Sequence, residues 1–148
     1  QYISAMFSPN DEAIYINSFD LEYACEWMIV HEYIHSLSYF TNQYHMGTTY
    51  GYCYFDELIT DLITSSLNPK LRNGATSVYY YDVHLIYPYI NLLKENAIKA
   101  FFYGYDDIYK FIPKDEFDFF VIDIENYGND NSVPFYNNLI YKWYSSAA

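Results

Sequence analysis

The chain has 148 residues, 52% of them hydrophobic and 23% aromatic, with 19 acidic side chains against 7 basic ones and a net charge of −12. This length and apolar content predict one domain, residues 1–148, with a substantial core and exclude a disordered chain. No apolar run approaches the roughly 18 residues of a transmembrane helix, and the acidic excess repels phosphate backbones, so nucleic acid is not an expected partner.

Two short strands and a long helix are the first predicted elements. Residues 2–7 and 13–17 are rich in apolar and aromatic side chains and read as strands, and the turn-forming residues 8–11 join them. Favourable N-cap residues then precede a helix that is expected over residues 20–39. This helix is expected to bury Trp27, Met28 and Leu37.

The rest of the chain is predicted to be helical apart from two loops. The loops cover residues 41–54, which are polar, aromatic and glycine-containing, and residues 70–76. Helices are expected at residues 55–67, ending before Asn68-Pro69, and then at residues 85–99, 106–112, 115–127 and 134–144. The order of elements predicts the α+β class, with a small mixed or antiparallel sheet over a mostly helical C-terminal lobe.

The most informative pattern, H-E-x-x-H, lies in the first long helix at residues 31–35. His31 and His35 are four positions apart and share one helical face, so they can offer two imidazole nitrogens to one metal ion. Glu32 lies beside them, where its carboxylate can hold a water that the metal has made acidic. The competing interpretation is a solvated helix that carries two histidines and a glutamate by chance.

A third protein ligand is expected, because a catalytic zinc keeps three protein ligands and one open position. Glu57 and Asp61 are four positions apart in the second helix and share a face, which leaves the core to Leu58, Ile59, Leu62 and Ile63. One of the two carboxylates can bind the metal while the other accepts a hydrogen bond from a ligand histidine.

H-E-x-x-H followed by E-x-x-x-D on a second helix resembles the gluzincin group of zinc metallopeptidases. The resemblance covers residues 13–67 and implies a zincin-like fold. It implies one catalytic Zn²⁺ bound by His31, His35 and Glu57. Glu32 would be the general base, and Asp61 would orient a ligand histidine.

The loop before the second helix extends the resemblance. Residues 49–57 are similar to lethal-factor-type and Pro-Pro endopeptidase-type gluzincins, which carry a tyrosine seven residues before the ligand glutamate. Tyr50 stands at that offset from Glu57, which implies that its hydroxyl faces the oxyanion formed during hydrolysis. Gluzincins also place an edge strand over the active-site helix to pair with the substrate backbone, and residues 13–17 are expected to form it.

Three other residues compete for these roles. His45 and Asp56 are alternatives to Glu57 as the third ligand, although the sequence lacks the glycine and third histidine that follow H-E-x-x-H in metzincins. His84 is an alternative to Tyr50 as the oxyanion donor, but its surroundings match no motif. It reads more simply as a packing residue.

The sequence therefore predicts a zinc-dependent endopeptidase whose partner is a peptide or protein substrate. The alternatives are a zinc-binding, catalytically inactive module that binds peptides or another protein, and a metal-free interaction domain. The chain opens at Gln1 without the regions of a signal peptide, so an excised catalytic domain or a mature form is expected, and secreted and cytoplasmic locations both fit. Cys25 and Cys53 lack C-x-x-C partners, so a thiolate zinc site is not expected.

Overall fold

The computed structural model of the chain describes residues 5–8, 10–17, 26–39, 54–67 and 82–129. In chain order these residues form strands β1 (Ala5–Ser8) and β2 (Ala13–Ile16), helices α1 (Glu26–Tyr39) and α2 (Tyr54–Leu67), a 3-10 helix (Val83–Ile86), helices α3 (Tyr87–Leu93) and α4 (Glu95–Tyr103), a second 3-10 helix (Asp106–Lys110) and helix α5 (Lys114–Asn129). The described part is thus mostly helical with a small antiparallel sheet, which agrees with the predicted α+β class. None of the described helices combines the length and hydropathy needed to cross a membrane.

The two predicted strands form an antiparallel pair in which Phe7 lies opposite Ile14. β1 continues one residue beyond the predicted strand 2–7, and β2 ends one residue before the end of the predicted strand 13–17. Residues 2–4 lie outside the described residues. The predicted turn and strand order are therefore confirmed over the described part.

Helix α1 ends at the predicted residue, and its expected first turns, residues 20–25, lie outside the described residues. One stripe of the helix is buried at helical spacing, formed by Trp27, His31, Ile34 and Ser38. Met28 is half-buried. The prediction that Leu37 is buried is wrong, because Leu37 lies to one side of this stripe and is 47% exposed.

Helix α2 is the central helix of the described part. Its bounds differ by one residue from the predicted helix 55–67. Phe55, Leu58 and Ile59 are fully buried in the core, and Leu62 and Ile63 pack against it half-buried. The helix also buries polar side chains, namely Glu57, Thr60, Asp61 and Thr64. Helix α2 is therefore buried on its apolar side, which belongs to the core, and also on its polar side, where buried polar groups need partners.

The C-terminal lobe differs from the prediction at two points. The single helix expected over residues 85–99 is wrong, because the chain breaks at Lys94, which has a left-handed φ of 55° and separates α3 from α4. Pro88 lies in the first turn of α3, where its missing N–H costs no helical hydrogen bond. Residues 106–110 form a 3-10 helix in place of the expected helix, and the expected helix 134–144 lies outside the described residues.

The lobe is built around an aromatic cluster. The ring of Phe55 from α2 contacts Tyr89 from α3 at a centroid distance of 5.4 Å, and it contacts Phe117 and Phe120 from α5 at 5.8 and 6.0 Å. All four side chains are at most 2% exposed. Burying large aromatic side chains contributes about 2 to 3 kcal/mol each, so this cluster is a major source of the lobe's stability.

Three hydrogen bonds link the N-terminal turn of α2, helix α5 and Asp82, which precedes the first 3-10 helix. The backbone N–H of Phe55 donates to the Glu125 carboxylate at 2.9 Å, which satisfies one of the donors that a helix start leaves open. Tyr54 and Tyr127 both donate from their hydroxyls to the Asp82 carboxylate. The position of Glu57, one turn into α2, is therefore tied to the lobe.

Candidate metal centre

Helices α1 and α2 bring His31, His35 and Glu57 into direct contact. The Nε2 atoms of the two histidines lie 3.1 Å apart, and Oε2 of Glu57 lies 2.9 Å from Nε2 of His31 and 3.1 Å from Nε2 of His35. His31 and Glu57 are 4% and 7% exposed. Three metal-ligating side chains from two helices thus converge in a group that could hold a metal ion.

The spacing of these three atoms fits a tetrahedral metal ion. Ligand atoms about 2.0–2.1 Å from a tetrahedral zinc lie about 3.3 Å apart, close to the 2.9–3.1 Å separations of this group. Two imidazole nitrogens at such a distance need a proton or a cation between them, because their lone pairs otherwise repel. The donor set of two nitrogens and one carboxylate oxygen is one that zinc accepts at catalytic sites.

His35 is oriented through its second ring nitrogen. Nδ1 of His35 lies 2.9 Å from the Asp56 carboxylate and 3.4 Å from the Thr60 hydroxyl. An Nδ1–H that donates to Asp56 leaves the lone pair of Nε2 directed to the three-atom group, as a metal ligand requires. Asp56, the alternative third ligand, instead contacts the far side of the His35 ring.

The charges around His35 favour a cation. Burial disfavours protonation of the ring, but hydrogen bonds with Asp56 and Glu57 outweigh it and hold the His35 pKa well above the usual 6.5. Burial likewise opposes ionisation of Glu57, yet hydrogen bonds with His31 and His35 lower its pKa to about 2. The group is therefore arranged so that its carboxylate stays ionised and its centre holds positive charge.

Glu32 lies beside this group and contacts the sheet. Its Oε2 accepts a hydrogen bond from the backbone N–H of Phe7 in β1 at 2.8 Å. Burial raises the pKa of Glu32, and the neighbouring His35 and His31 oppose that rise. The strand whose backbone contacts Glu32 is therefore β1, with β2 as its antiparallel partner, and the expectation that residues 13–17 pair with the substrate backbone stays a prediction.

The remaining site predictions have different outcomes. Asp61 is fully buried one turn after Glu57, and its expected hydrogen bond to a ligand histidine stays a prediction. Tyr50 and His45 lie outside the described residues. His84 is exposed on the 3-10 helix that precedes α3 and is not a member of the group that could hold a metal ion.

Two contacts of the site were not expected from the sequence. The role of Asp56 had a signal, because Asp56 and Thr60 are four positions apart and share a helical face beside that of Glu57. The contact of Phe7 with Glu32 had no signal in the sequence, because the group involved is a backbone N–H that every residue except proline carries.

The motif positions His31, Glu32 and His35 lie on α1, and Glu57 and Asp61 lie on α2. Comparison of the chain with family models, curated proteins and solved structures found no match.

Proposed function

We propose that this chain is a gluzincin-like zinc endopeptidase with a zincin-like fold. The observation that carries the proposal is the convergence of His31, His35 and Glu57, with Glu32 directly beside them. This combination supplies three ligands and a separate carboxylate base, which are the groups that metal-assisted hydrolysis of a peptide bond needs.

His31, His35 and Glu57 would hold the zinc ion. When bound, zinc lowers the pKa of a coordinated water to about 7 and polarises the scissile carbonyl. Asp56 holds the His35 ring in the tautomer that presents Nε2. Asp61 is proposed to do the same for a ligand histidine from its buried position on α2.

Glu32 is the proposed general base. It takes a proton from the attacking water and delivers that proton to the leaving amine when the peptide bond breaks. A group that must first accept and then release a proton works best when its pKa lies nearer the operating pH than that of an ordinary glutamate. The burial that raises the pKa of Glu32 acts in this direction.

Tyr50 is the proposed donor to the oxyanion of the tetrahedral intermediate. Loss of such a donor costs about 3 kcal/mol of transition-state stabilisation. The support for Tyr50 is its offset from Glu57. A Tyr50→Phe variant is accordingly expected to lower kcat far more than it changes KM.

The strand that would pair with the substrate is proposed to be β1. Its backbone reaches Glu32 through Phe7, whereas β2 lies on the far side of β1. An extended peptide that added to this edge would run past the base and the three ligands. The substrate is therefore expected to be a peptide segment in extended conformation.

A closed structural zinc site is the competing proposal. Structural sites use four protein ligands, whereas catalytic sites keep one position open. Among the described residues, the group that could hold a metal ion has three members, and Asp56 contacts the opposite side of His35. This arrangement favours the catalytic interpretation over a non-catalytic peptide-binding module.

The test combines metal content with hydrolysis. We expect about one zinc per wild-type chain after dialysis, measured by elemental analysis, and much less in Glu57→Ala. Glu32→Gln is expected to keep its zinc and to lose hydrolysis of a peptide library, since only the base is removed. Full zinc occupancy in Glu57→Ala, or near-normal turnover in Glu32→Gln, would contradict the proposed site.

A further inference from the structure

The contact between the sheet and the base has a role beyond holding the two elements together. We infer that the backbone N–H of Phe7 is a positioning group that orients the Glu32 carboxylate for proton transfer. This inference rests on the proposed function, because it assigns a partner to the proposed general base. It adds strand β1 to the groups on which turnover depends.

The hydrogen bond is short and joins distant parts of the chain. Phe7 N lies 2.8 Å from Oε2 of Glu32, across 25 residues of sequence. Hydrogen bonds to an ionised carboxylate are about twice as strong as those between neutral groups. Oε2 of Glu32 is thus held by β1, and the inference assigns the other oxygen to the water that the base must activate.

Orientation matters here because a glutamate side chain has several rotatable bonds. Without an anchor, Glu32 would sample other rotamers, and ordering it would cost conformational entropy at each turnover. The nearby Glu57 carboxylate also repels the ionised form of Glu32. A fixed donor on the opposite element offsets both effects, and proton transfer needs the base within hydrogen-bond reach of the water.

The donor lies on the edge of β1 that faces away from β2. Residues of an antiparallel pair alternate between those that bond across the pair and those whose backbone groups point outward. Because Phe7 donates to Glu32, Phe7 and Ile14 opposite it are an outward-pointing pair. Its N–H can therefore be removed without breaking a hydrogen bond between β1 and β2.

This geometry permits a substitution that removes only the donor. Proline has no N–H and is tolerated at an edge position whose N–H lies outside the ladder. Phe7→Ala removes the same aromatic ring and keeps the N–H, so it is the reference for Phe7→Pro. Ile14→Pro places proline in the same cross-strand pair but on the far edge, so it reports the general effect of proline on the hairpin.

The first measurement is steady-state hydrolysis by the zinc-loaded proteins. We expect kcat of Phe7→Pro to fall by roughly 10- to 100-fold relative to Phe7→Ala, as for other small displacements of a catalytic group. Zinc affinity and KM are expected to stay within about threefold, and Ile14→Pro should retain kcat within about threefold of wild type. Equal kcat in Phe7→Pro and Phe7→Ala would overturn the inference.

The second measurement needs no activity. Amide hydrogen exchange in the metal-free protein is followed by NMR in wild type and in Glu32→Ala. The Phe7 amide is expected to exchange faster in Glu32→Ala, while the amide of Met6, which points toward β2, is expected to keep its rate. An unchanged Phe7 rate would show that the hydrogen bond is not formed in solution and would overturn the inference.

The two proposals fail in different ways. If zinc-loaded wild type hydrolyses no peptide, the proposed function fails, and the positioning role fails with it. If wild type is active but Phe7→Pro matches Phe7→Ala, the positioning role fails alone.

Discussion

At the scale of single residues, His35 shows how the site selects a cation. One ring nitrogen faces Asp56 at 2.9 Å, and the other faces Glu57 at 3.1 Å. Two carboxylates around one buried imidazole stabilise positive charge there, whether a proton or a metal ion supplies it. The same two contacts fix the plane of the His35 ring, so the carboxylates that favour positive charge also orient the ligand nitrogen.

Asp56→Asn is expected to lower zinc affinity by about 10- to 100-fold. The amide retains an acceptor for Nδ1 of His35 but loses the negative charge that strengthens the ligand. Affinity is measured by competition with a chromogenic chelator, with the exposed Asp107→Asn as the control. An affinity equal to that of wild type would mean that Asp56 does not support His35.

The metal-free protein is expected to lose stability in acid through Glu57. Its pKa is about 2 in the folded state against an ordinary 4.5, so its contribution is complete above pH 4.5 and is lost as the pH falls toward 2. His35 acts in the opposite direction, since its raised pKa contributes stability that is lost as the pH rises through that pKa. Urea unfolding of Glu57→Gln should therefore depend less on pH between about 4.5 and 2 than that of wild type. An equal dependence in the two proteins would contradict this assignment.

At the scale of elements, helix α2 carries Glu57 and is fixed by contacts at its N-terminal turn. Glu125 of α5 accepts from the Phe55 N–H, and Tyr54 reaches the Asp82 carboxylate. A helix that could rotate or slide would move Glu57 away from the two histidines of α1. The packing of α2 against α5 therefore helps to fix the position of Glu57 relative to the two histidines.

Gly128→Ala is expected to destabilise the protein by about 1 to 3 kcal/mol. An alanine in a helix normally stabilises by up to about 1 kcal/mol relative to glycine, but a Cβ at this position would lie 2.5 Å from Cγ of Tyr54. The Tyr54 ring must then move, which also disturbs its hydrogen bond to Asp82. The effect is measured by chemical denaturation. Gly104→Ala is not a suitable control, because the φ of 107° at Gly104 adds strain of its own.

A better control combines Gly128→Ala with Tyr54→Phe, which keeps the ring and removes the hydroxyl. If the clash is with the ring, the double variant is less stable than Tyr54→Phe alone. A gain in stability for Gly128→Ala, as its helix propensity alone would give, would show that Tyr54 adjusts without cost.

At the scale of the whole molecule, the candidate metal centre lies between the hairpin with α1 and the helical lobe formed by α2 to α5. In the described part, the continuous hydrophobic core runs from α2 through α5, and α1 contributes to it the buried Ile34 and the half-buried Val30. The hairpin and α1 meet through Glu32 and β1. The three ligands thus bridge α1 to a lobe that has its own core.

Removing zinc is therefore expected to loosen α1 and the hairpin while the lobe stays folded. Chelation should lower the Tm, because a ligand that binds only the folded state stabilises it by mass action. The helical circular dichroism signal at room temperature should largely persist, since the lobe core does not include the ligands. Loss of most of that signal on chelation would mean that folding depends on the metal, as in small zinc domains.

Sequence reasoning succeeded where the determining interactions are local. The spacing of His31 and His35 places them on one face because a helix repeats every few residues, and the structure has both nitrogens 3.1 Å apart. It failed at Lys94, where a left-handed residue splits a helix whose apolar pattern continues. It also failed for Leu37, because apolar character does not say which face meets the core.

Local sequence was enough to identify the two histidines, the glutamate beside them and the pair of acids on the second helix, because helical period places His31 with His35 and Glu57 with Asp61 on shared faces. The contacts of Glu57 with the histidines, of Asp56 with His35 and of Phe7 with Glu32 depend on tertiary packing. Those contacts join elements that are far apart in sequence, and the packing of α2 and β1 against α1 sets them. One of them also involves a group without a sequence signature, the backbone N–H of Phe7, so local patterns could not reveal it.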